Sequence, residues 1–276
     1  MHRALNRLVA RALLLVIGLA LAGAALAVDK KGIGLGDRSA AERIEALQVG
    51  WYYTWTPHPM SARVAAEFVP MVWGGHRLKD HLQAMRQRGC VPTLLAINEP
   101  DHVDQANMSV QDVVRLWPEL AALAERVSTP ATATAENGWA QRFDELRRRD
   151  GLKADFMAIH LYGPPDVDKF LRHLDAIHAR FGMPIWITEF AVADWDAGDQ
   201  PGSNRYSEAQ VIAFMNAVLP ELERRDWVER YAWFGAGRSR APHEKIRTSM
   251  LFDADGRLTD LGRVYASFRS AGAKTR

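Results

Sequence analysis

Short apolar runs of strand length alternate along this chain with longer stretches of helical periodicity, and that alternation confines the fold to parallel strands joined by helical crossovers. In order, Lys31 to Leu35, Val49 to Tyr53, Phe68 to Trp73, Val91 to Asn98, Pro130 to Thr134, Phe156 to Leu161, Ile185 to Glu189 and Arg230 to Phe234 read as eight strands. Ser39 and Glu42 predict a capping box for a helix through Gln48,. Ser109 predicts the cap of a helix with Val113, Leu116, Leu120, Leu123 and Val127 on one face,. Helices over Gln141 to Arg149 and Val167 to Phe181 follow, the second closed by Gly182, and Ser207 with Gln210 opens another,. Leu258 to Phe268 reads as the closing helix. The expectation is an α/β protein, a single-domain (β/α)8 barrel whose site lies at the carboxyl ends of the strands. A doubly wound open sheet competes, but no glycine-rich phosphate turn follows a strand, and Gly32-x-Gly34-x-Gly36 lacks the required spacing,.

Two of the runs stop on carboxylates. Leu94 to Ile97 is continuously apolar, the pattern of a strand buried on both faces, and it ends in Asn98-Glu99-Pro100,. Pro100 cannot extend the ladder, so Glu99 is expected at a fixed strand terminus. Ile185-Trp186-Ile187-Thr188-Glu189-Phe190 repeats the design ninety positions later. On a barrel these are the fourth and seventh strands, and Glu99 and Glu189 face each other across the mouth. Cleavage of a glycosidic bond asks for such a pair: one group protonates the leaving oxygen, and the other attacks the anomeric carbon or activates water. Mutual repulsion is expected to keep one carboxyl protonated while the other is ionised. A separation of about 5 Å would favour retention of configuration, and roughly 6.5 to 9.5 Å inversion.

Aromatic residues cluster near the same places. Trp51, Trp55, Trp73, Trp139, Trp195 and Trp233 lie at or just after expected strand ends or in loops, where sugar rings can stack on them. Trp117, Trp186 and Trp227 read as packing residues,. His160 and Tyr162 could orient the carboxylates or bind hydroxyls, and Asn98 could bind the hydroxyl beside the anomeric carbon. Two other classes remain open at this point: a non-catalytic glycan-binding barrel, and a metal-dependent hydrolase ligated by His160, Glu99 and Glu189. Asp101, His102 and Asp104 match no metal signature and read as a solvated loop. No metal and no cofactor is expected. The loop from Ala191 to Tyr206 is long, rich in Asp and Gly, and placed to roof or narrow a cleft,.

The first 27 residues contain three arginines and no acid, then an apolar segment from Ala12 to Leu26 ending in Ala25-Leu26-Ala27. That is the pattern of a secretory signal peptide, with an apolar core shorter than the roughly 20 residues of a spanning helix. Residues 1–27 are expected to be removed, leaving residues 28–276 as the catalytic domain, secreted or periplasmic, monomeric, and without stable membrane insertion. Of 35 basic residues, 3 leave with the signal, so 32 remain against 33 acidic ones. A near-neutral chain gives no reason to expect a nucleic-acid or anionic-membrane partner. Cys90 is the single cysteine, so no intrachain disulfide can form, and it reads as a small core residue,.

Asn98-Glu99-Pro100 and Ile187-Thr188-Glu189-Phe190, at the ends of the fourth and seventh strands, resemble clan A of the retaining glycoside hydrolases. With Gly50-Trp51-Tyr52-Tyr53-Thr54-Trp55, Phe68-Val69-Pro70-Met71-Val72-Trp73-Gly74, His160-Leu161-Tyr162 and Trp233-Phe234, the chain resembles glycoside hydrolase family 128 across residues 30 to 270. The resemblance implies an endo-acting β-1,3-glucanase working with retention and without a cofactor, its partner a β-glucan oligo- or polysaccharide. It implies Glu99 as general acid/base and Glu189 as nucleophile. It also implies Asn98 as the asparagine preceding the acid/base, Tyr162 as the aromatic near the nucleophile, and Trp233 as the platform beneath the sugar. Families of the clan share the two glutamates and differ in their sugars, so the alternative is another β-glycanase acting on a different β-glucan or on mannan.

Overall fold

The computed structural model describes residues 29–236 and 244–270. The expected signal peptide, residues 1–27, and Val28 lie outside the described residues. Along the chain come β1 (Lys31–Gly34), α1 (Ala41–Leu47), β2 (Trp51–Tyr53), β3 (Glu67–Phe68), β4 (Met71–Val72), α2 (Leu78–Arg88), β5 (Val91–Ala96), α3 (Val110–Ala122), β6 (Ala124–Val127), α4 (Gly138–Arg149), β7 (Met157–Gly163), α5 (Val167–Phe181), β8 (Ile185–Val192), α6 (Glu208–Arg224), β9 (Val228–Trp233) and α7 (Asp260–Ser267). Every strand pairs with its neighbours in parallel. The order β3-β2-β1-β9-β8-β7 forms one run and β4-β5-β6 the other.

The two runs meet at two seams, and the sequence explains both. Pro70 has no N–H and breaks the third barrel strand into β3 and β4, while its carbonyl still accepts from the Leu95 N–H at 3.0 Å. At the other seam the Ser128–Phe156 bridge, with Asp155 N–H to the Val127 carbonyl at 2.8 Å and Thr129 N–H to the Phe156 carbonyl at 2.9 Å, joins β6 to β7. The result is the expected (β/α)8 barrel, except that residues 54–66, between β2 and β3, carry no helix.

Three local expectations are corrected. The fifth barrel strand is Ala124–Val127, not Pro130 to Thr134, because α3 stops at Ala122 and Val127 belongs to the ladder with Leu94. The spacing of Leu120, Leu123 and Val127 imitates a continuing helix, but the sheet claims the last of them. Ser39 does not cap α1, since its hydroxyl donates to Asp37 Oδ1 at 2.5 Å and the cap position falls on Ala40. Cys90 is exposed rather than packed, because it sits in the turn after α2, outside the strand. Other boundaries agree: Ser109 caps α3, Gly182 closes α5 in a left-handed conformation, and Ser207 with Gln210 makes the expected capping box on α6.

Side-chain alternation sorts the aromatics. Trp51 and Tyr53 on β2 point into the barrel, where Trp51 packs on Trp186 and Trp186 stacks on Phe156. Arg230 lies 4.3 Å over Trp186, so the lower barrel is filled. Tyr231 and Trp233 on β9 point outward to α6 and α7 instead, within the larger apolar cluster.

Lys31 ties β1 to the first and last helices described. It is buried at the start of β1, and its ammonium donates to the carbonyls of Leu47, Tyr265, Ala266 and Phe268 at 3.2, 2.9, 3.5 and 2.7 Å, closing the C-termini of α1 and α7. Burial pushes its pKa down from 10.5 to about 8. Lys31→Met orphans these carbonyls and is expected to cost about 2–4 kcal/mol, read as a lower urea midpoint. Between pH 8 and 10.5 the unfolded chain keeps a proton that the folded one has released, so this lysine makes stability rise with pH there. That rise should be absent from Lys31→Met; identical pH slopes for the two proteins would refute the assignment.

Candidate active site

β5 ends at Ala96, and the next residues are held by hydrogen bonds from both sides. Ile97 N–H donates to the Val72 carbonyl at 2.7 Å, Asn98 N–H to the Trp73 carbonyl at 2.9 Å, and Glu99 N–H to the Ala131 carbonyl at 2.7 Å. Under that clamp Ile97 (φ 59°) and Glu99 (φ 42°) take left-handed conformations, which such side chains adopt only where the surroundings impose them. The turn swings Glu99 over the barrel axis. Asp101 fixes the facing loop by accepting from Ala133 N–H at 2.9 Å and Asn137 Nδ2 at 2.6 Å.

Glu189 reaches the same space through an irregular strand. Trp186 and Glu189 both face inward although they are three apart, which a regular strand forbids. The register shifts between Ile159 and His160 and between Ile187 and Phe190 absorb the extra residue,. On β7, His160 and Tyr162 lie two apart and share the inward face.

His160 contacts both carboxylates. Its Nδ1 is 2.7 Å from Glu99 Oε1 and its Nε2 3.5 Å from Glu189 Oε1. One donor atom from each of Glu99, His160 and Glu189 lies within 4.8 Å of the others, so the nearest oxygens of the two glutamates are closer than inversion by an interposed water requires. Burial alone would disfavour a charged imidazole, but Glu189 and the hydrogen-bonded Glu99 outweigh it and raise the His160 pKa. Burial likewise would raise Glu99, but the hydrogen bond and charge of His160 hold it below its ordinary value. The expectation of bare carboxylate repulsion is therefore corrected: an imidazole in contact with both carboxylates holds Glu99 down. These three residues are also the candidate metal donors among those described. The shortest contact among them, His160 Nδ1 to Glu99 Oε1 at 2.7 Å, is that of a shared proton.

Glu189 carries further donors. Tyr162 Oη donates to Oε2 at 2.6 Å, and Trp55 Nε1 donates to Oε1 at 2.8 Å. Tyr53 Oη donates to the Thr188 carbonyl at 2.9 Å and also faces Oε1 at 3.4 Å. Burial and the neighbouring Glu189 charge raise both phenols well above their usual range, so they stay protonated donors.

The other expected residues divide into two groups. Asn98 is buried beside Glu99, its Nδ2 donating to Gln105 Oε1 at 3.4 Å and its Oδ1 without a partner. Trp195 is 56% exposed and meets Tyr162 edge to face at 5.8 Å. The long loop bearing it is pinned to residues 244–249. Asp194 N–H donates to the Lys245 carbonyl at 2.8 Å, and Asn204 Nδ2 to the Glu244 carbonyl at 2.7 Å. Trp51 and Trp233 are 0% exposed, with indoles donating to the carbonyls of Lys30 and Ser249 at 3.0 and 2.8 Å. Neither ring is within reach of a sugar, because Trp51 lies too deep and Trp233 points out of the barrel. Phe234, one residue later, faces inward and packs on Tyr162 and Trp55 at 5.7 and 6.0 Å. Trp73 is buried against His76 and Arg77. Trp139 lies on Phe143 and donates to the Met108 carbonyl at 2.9 Å. Tyr53 and Phe234 are the residues that sequence reasoning passed over, and inward alternation from Trp51 and Arg230 would have found both.

Residues 32–265 match the family model described as glycosyl hydrolase catalytic core. The chain is similar to an endo-β-1,3-glucanase of glycoside hydrolase family 128, subgroup I, from Amycolatopsis mediterranei, solved in complex with laminaritriose. The two are 33% identical over 87% of this chain and 99% of that one, with a TM-score of 0.74. An exo-β-1,3-glucanase of subgroup V from Cryptococcus neoformans is 28% identical over 89% of this chain and 100% of that one, with a TM-score of 0.70. Alkali-sensitive linkage protein 1 of Schizosaccharomyces pombe is 26% identical over 232 residues, 79% of this chain, and the match spans 40% of that relative's length.

The raised His160 and lowered Glu99 make the pair stabilising in a defined window. The histidine contribution is complete below its ordinary value of 6.5 and is lost as pH rises through its folded value; the glutamate contribution is complete above 4.5 and is lost as pH falls,. The stability difference between wild type and His160→Gln is therefore expected to be largest between about pH 4.5 and 6.5 and to shrink on either side. A difference that grows steadily above pH 7 would contradict a charged His160.

Proposed function

The chain belongs to glycoside hydrolase family 128, within the glycosyl hydrolase catalytic core, and we propose that it hydrolyses β-1,3-glucan internally with retention of configuration. The observation that carries the mechanism is the convergence of Glu99, His160 and Glu189 within 4.8 Å, which leaves no room between the carboxylates for an attacking water and makes direct attack by one of them the fitting route. In this reading Glu189 forms the bond to the anomeric carbon while Glu99 gives its proton to the departing glycosidic oxygen. Glu99, now ionised, then takes a proton from water as that water displaces Glu189. His160 keeps the proton inventory of the pair, since the proton it shares with Glu99 can lie on either side of a 2.7 Å contact.

Substrate recognition in this reading falls to Asn98, Tyr162, Trp55, Phe234 and the exposed face of Trp195, with Trp73 and Trp139 farther out. The Amycolatopsis enzyme supports both the linkage and cleavage within chains, because it is an endo-acting family member seen with laminaritriose. A site completed by one chain supports a monomer. Export, read from the arginine-flanked apolar segment before Val28, would bring the enzyme to a polymer outside the cytoplasm; among the described residues no helix is long and apolar enough to cross a membrane.

Glu99→Gln and Glu189→Gln are each expected to lower hydrolysis of laminarin by about 10³-fold or more while leaving the melting temperature within a few degrees. Proton NMR of early products should show the β-anomer first, and product sizing should show mixed oligosaccharides before glucose or a single short product. Turnover of laminarin at the wild-type rate by Glu189→Gln would remove the proposed nucleophile, and an α-anomer appearing first would remove retention.

A further inference from the structure

The glycines at 32 and 34 match no phosphate loop, yet β1 places them where β2 needs space. Gly32 pairs with Trp51 and Gly34 with Tyr53. A Cβ on Gly32 would fall 2.1 Å from the Trp51 ring, and one on Gly34 would fall 2.7 Å from Trp55 Cη2 and 2.9 Å from the Tyr53 ring. The bare backbone of β1 is thus the surface against which three inward aromatics of β2 and its extension lie. The uppermost, Trp55, has a left-handed backbone at φ 56°, a strain that its surroundings must impose. Its indole is confined by Gly34 and Gly36, by Tyr53 at 4.8 Å and by Phe234 at 6.0 Å.

The outcome of this confinement is one hydrogen bond, from Trp55 Nε1 to Glu189 Oε1 at 2.8 Å. The donors on the two oxygens of Glu189 differ in kind. Oε2 is held by the Tyr162 hydroxyl, which can rotate away and can also accept,. Oε1 is held by an indole N–H, which is fixed in the ring plane and only donates. Tyr53 competes little for Oε1, because its single hydroxyl proton has the closer Thr188 carbonyl at 2.9 Å.

We propose that Trp55 is a positioning residue that assigns the two oxygens of Glu189, reserving Oε1 as the spectator and leaving Oε2 to bond the anomeric carbon. This rests on the reading of Glu189 as the nucleophile. In the first half-reaction an Oε2 lone pair forms the bond to C1 as the C1–O glycosidic pair passes to the leaving oxygen, which takes the Glu99 proton. The Tyr162 hydroxyl turns aside, and Oε1 becomes the ester carbonyl, still receiving the indole N–H. In the second half-reaction water adds to C1, its proton goes to Glu99, and the C1–Oε2 pair returns to Glu189 as carboxylate charge. A donor aimed at that developing charge favours this second step more than the first, in which the charge is consumed.

The test is steady-state hydrolysis of 2,4-dinitrophenyl β-laminaribioside, whose good leaving group makes ester breakdown limiting, with intact-mass detection of adduct on Glu189. Trp55→Phe is expected to lower kcat by about 10- to 100-fold and to lower KM with it, and to accumulate the glycosyl-enzyme. Benzothienylalanine at position 55 keeps the ring shape and removes only the N–H, so it should behave likewise even if Trp55→Phe folds poorly. Wild-type kinetics in the sulfur isostere, or an unchanged or raised KM without adduct, overturns the proposal. Labelling of wild-type Glu189 by 2-deoxy-2-fluoro-β-laminaribiosyl fluoride is the separate control: its failure would overturn the nucleophile reading itself.

Discussion

An imidazole buried against two carboxylates is the arrangement on which the rest of this site depends. Each of the three groups would be costly to bury as an isolated charge, and each is tolerable here because the others are present. His160 is drawn toward its charged form by Glu189 and Glu99, and His160 holds the Glu99 carboxyl below its ordinary value. The consequence is a site that stores one mobile proton next to two oxygen bases. Double displacement needs that inventory, since the same glutamate must give a proton in one step and take one back in the next.

Holding three side chains this close requires departures from regular backbone, and the barrel supplies them at separate points. Left-handed residues at Ile97 and Glu99 turn the end of β5 over the axis. An irregularity in β8 brings Glu189 to the same inner face as Trp186, three residues earlier on that strand. A left-handed Trp55 completes the set. Each strain is held by hydrogen bonds or packing from regular neighbours: the Val72, Trp73 and Ala131 carbonyls in the first case, and the glycine surface of β1 in the third. The filled lower barrel of Trp51, Trp186, Phe156 and Arg230 gives these deviations a rigid floor.

What could be read in the sequence follows from the same distinction. Glu99, Glu189, His160 and Tyr162 were legible because carboxylates and ring donors ending apolar runs stand out against the pattern of a buried strand. The sequence puts Trp51 and Trp233 at the mouth because their position near strand ends is visible in it while depth and facing are not. One residue of alternation separates the outward Trp233 from the inward Phe234, and two residues of depth separate Trp51 from Tyr53. The fifth strand was displaced because a hydrophobic spacing common to helix and strand ran through Leu120, Leu123 and Val127, and only pairing with β5 decides it. The β8 irregularity left no sequence signal, since Ile187-Thr188-Glu189 is as compatible with a regular strand.

The charge of the assembled site bears on why its remaining donors are neutral. The trio sets two carboxyl groups against one imidazole, which leaves it acidic on balance, and the further donors on Glu189 are an indole and the Tyr162 phenol, held protonated. A guanidinium in their place would cancel the residual charge. A neutral glucan would gain little from that charge on binding, whereas an oxocarbenium-like transition state would gain from it. Neutral donors fix the direction of Glu189 without spending its field, so the electrostatic stabilisation falls on the transition state more than on the bound sugar, which is the difference that raises a rate.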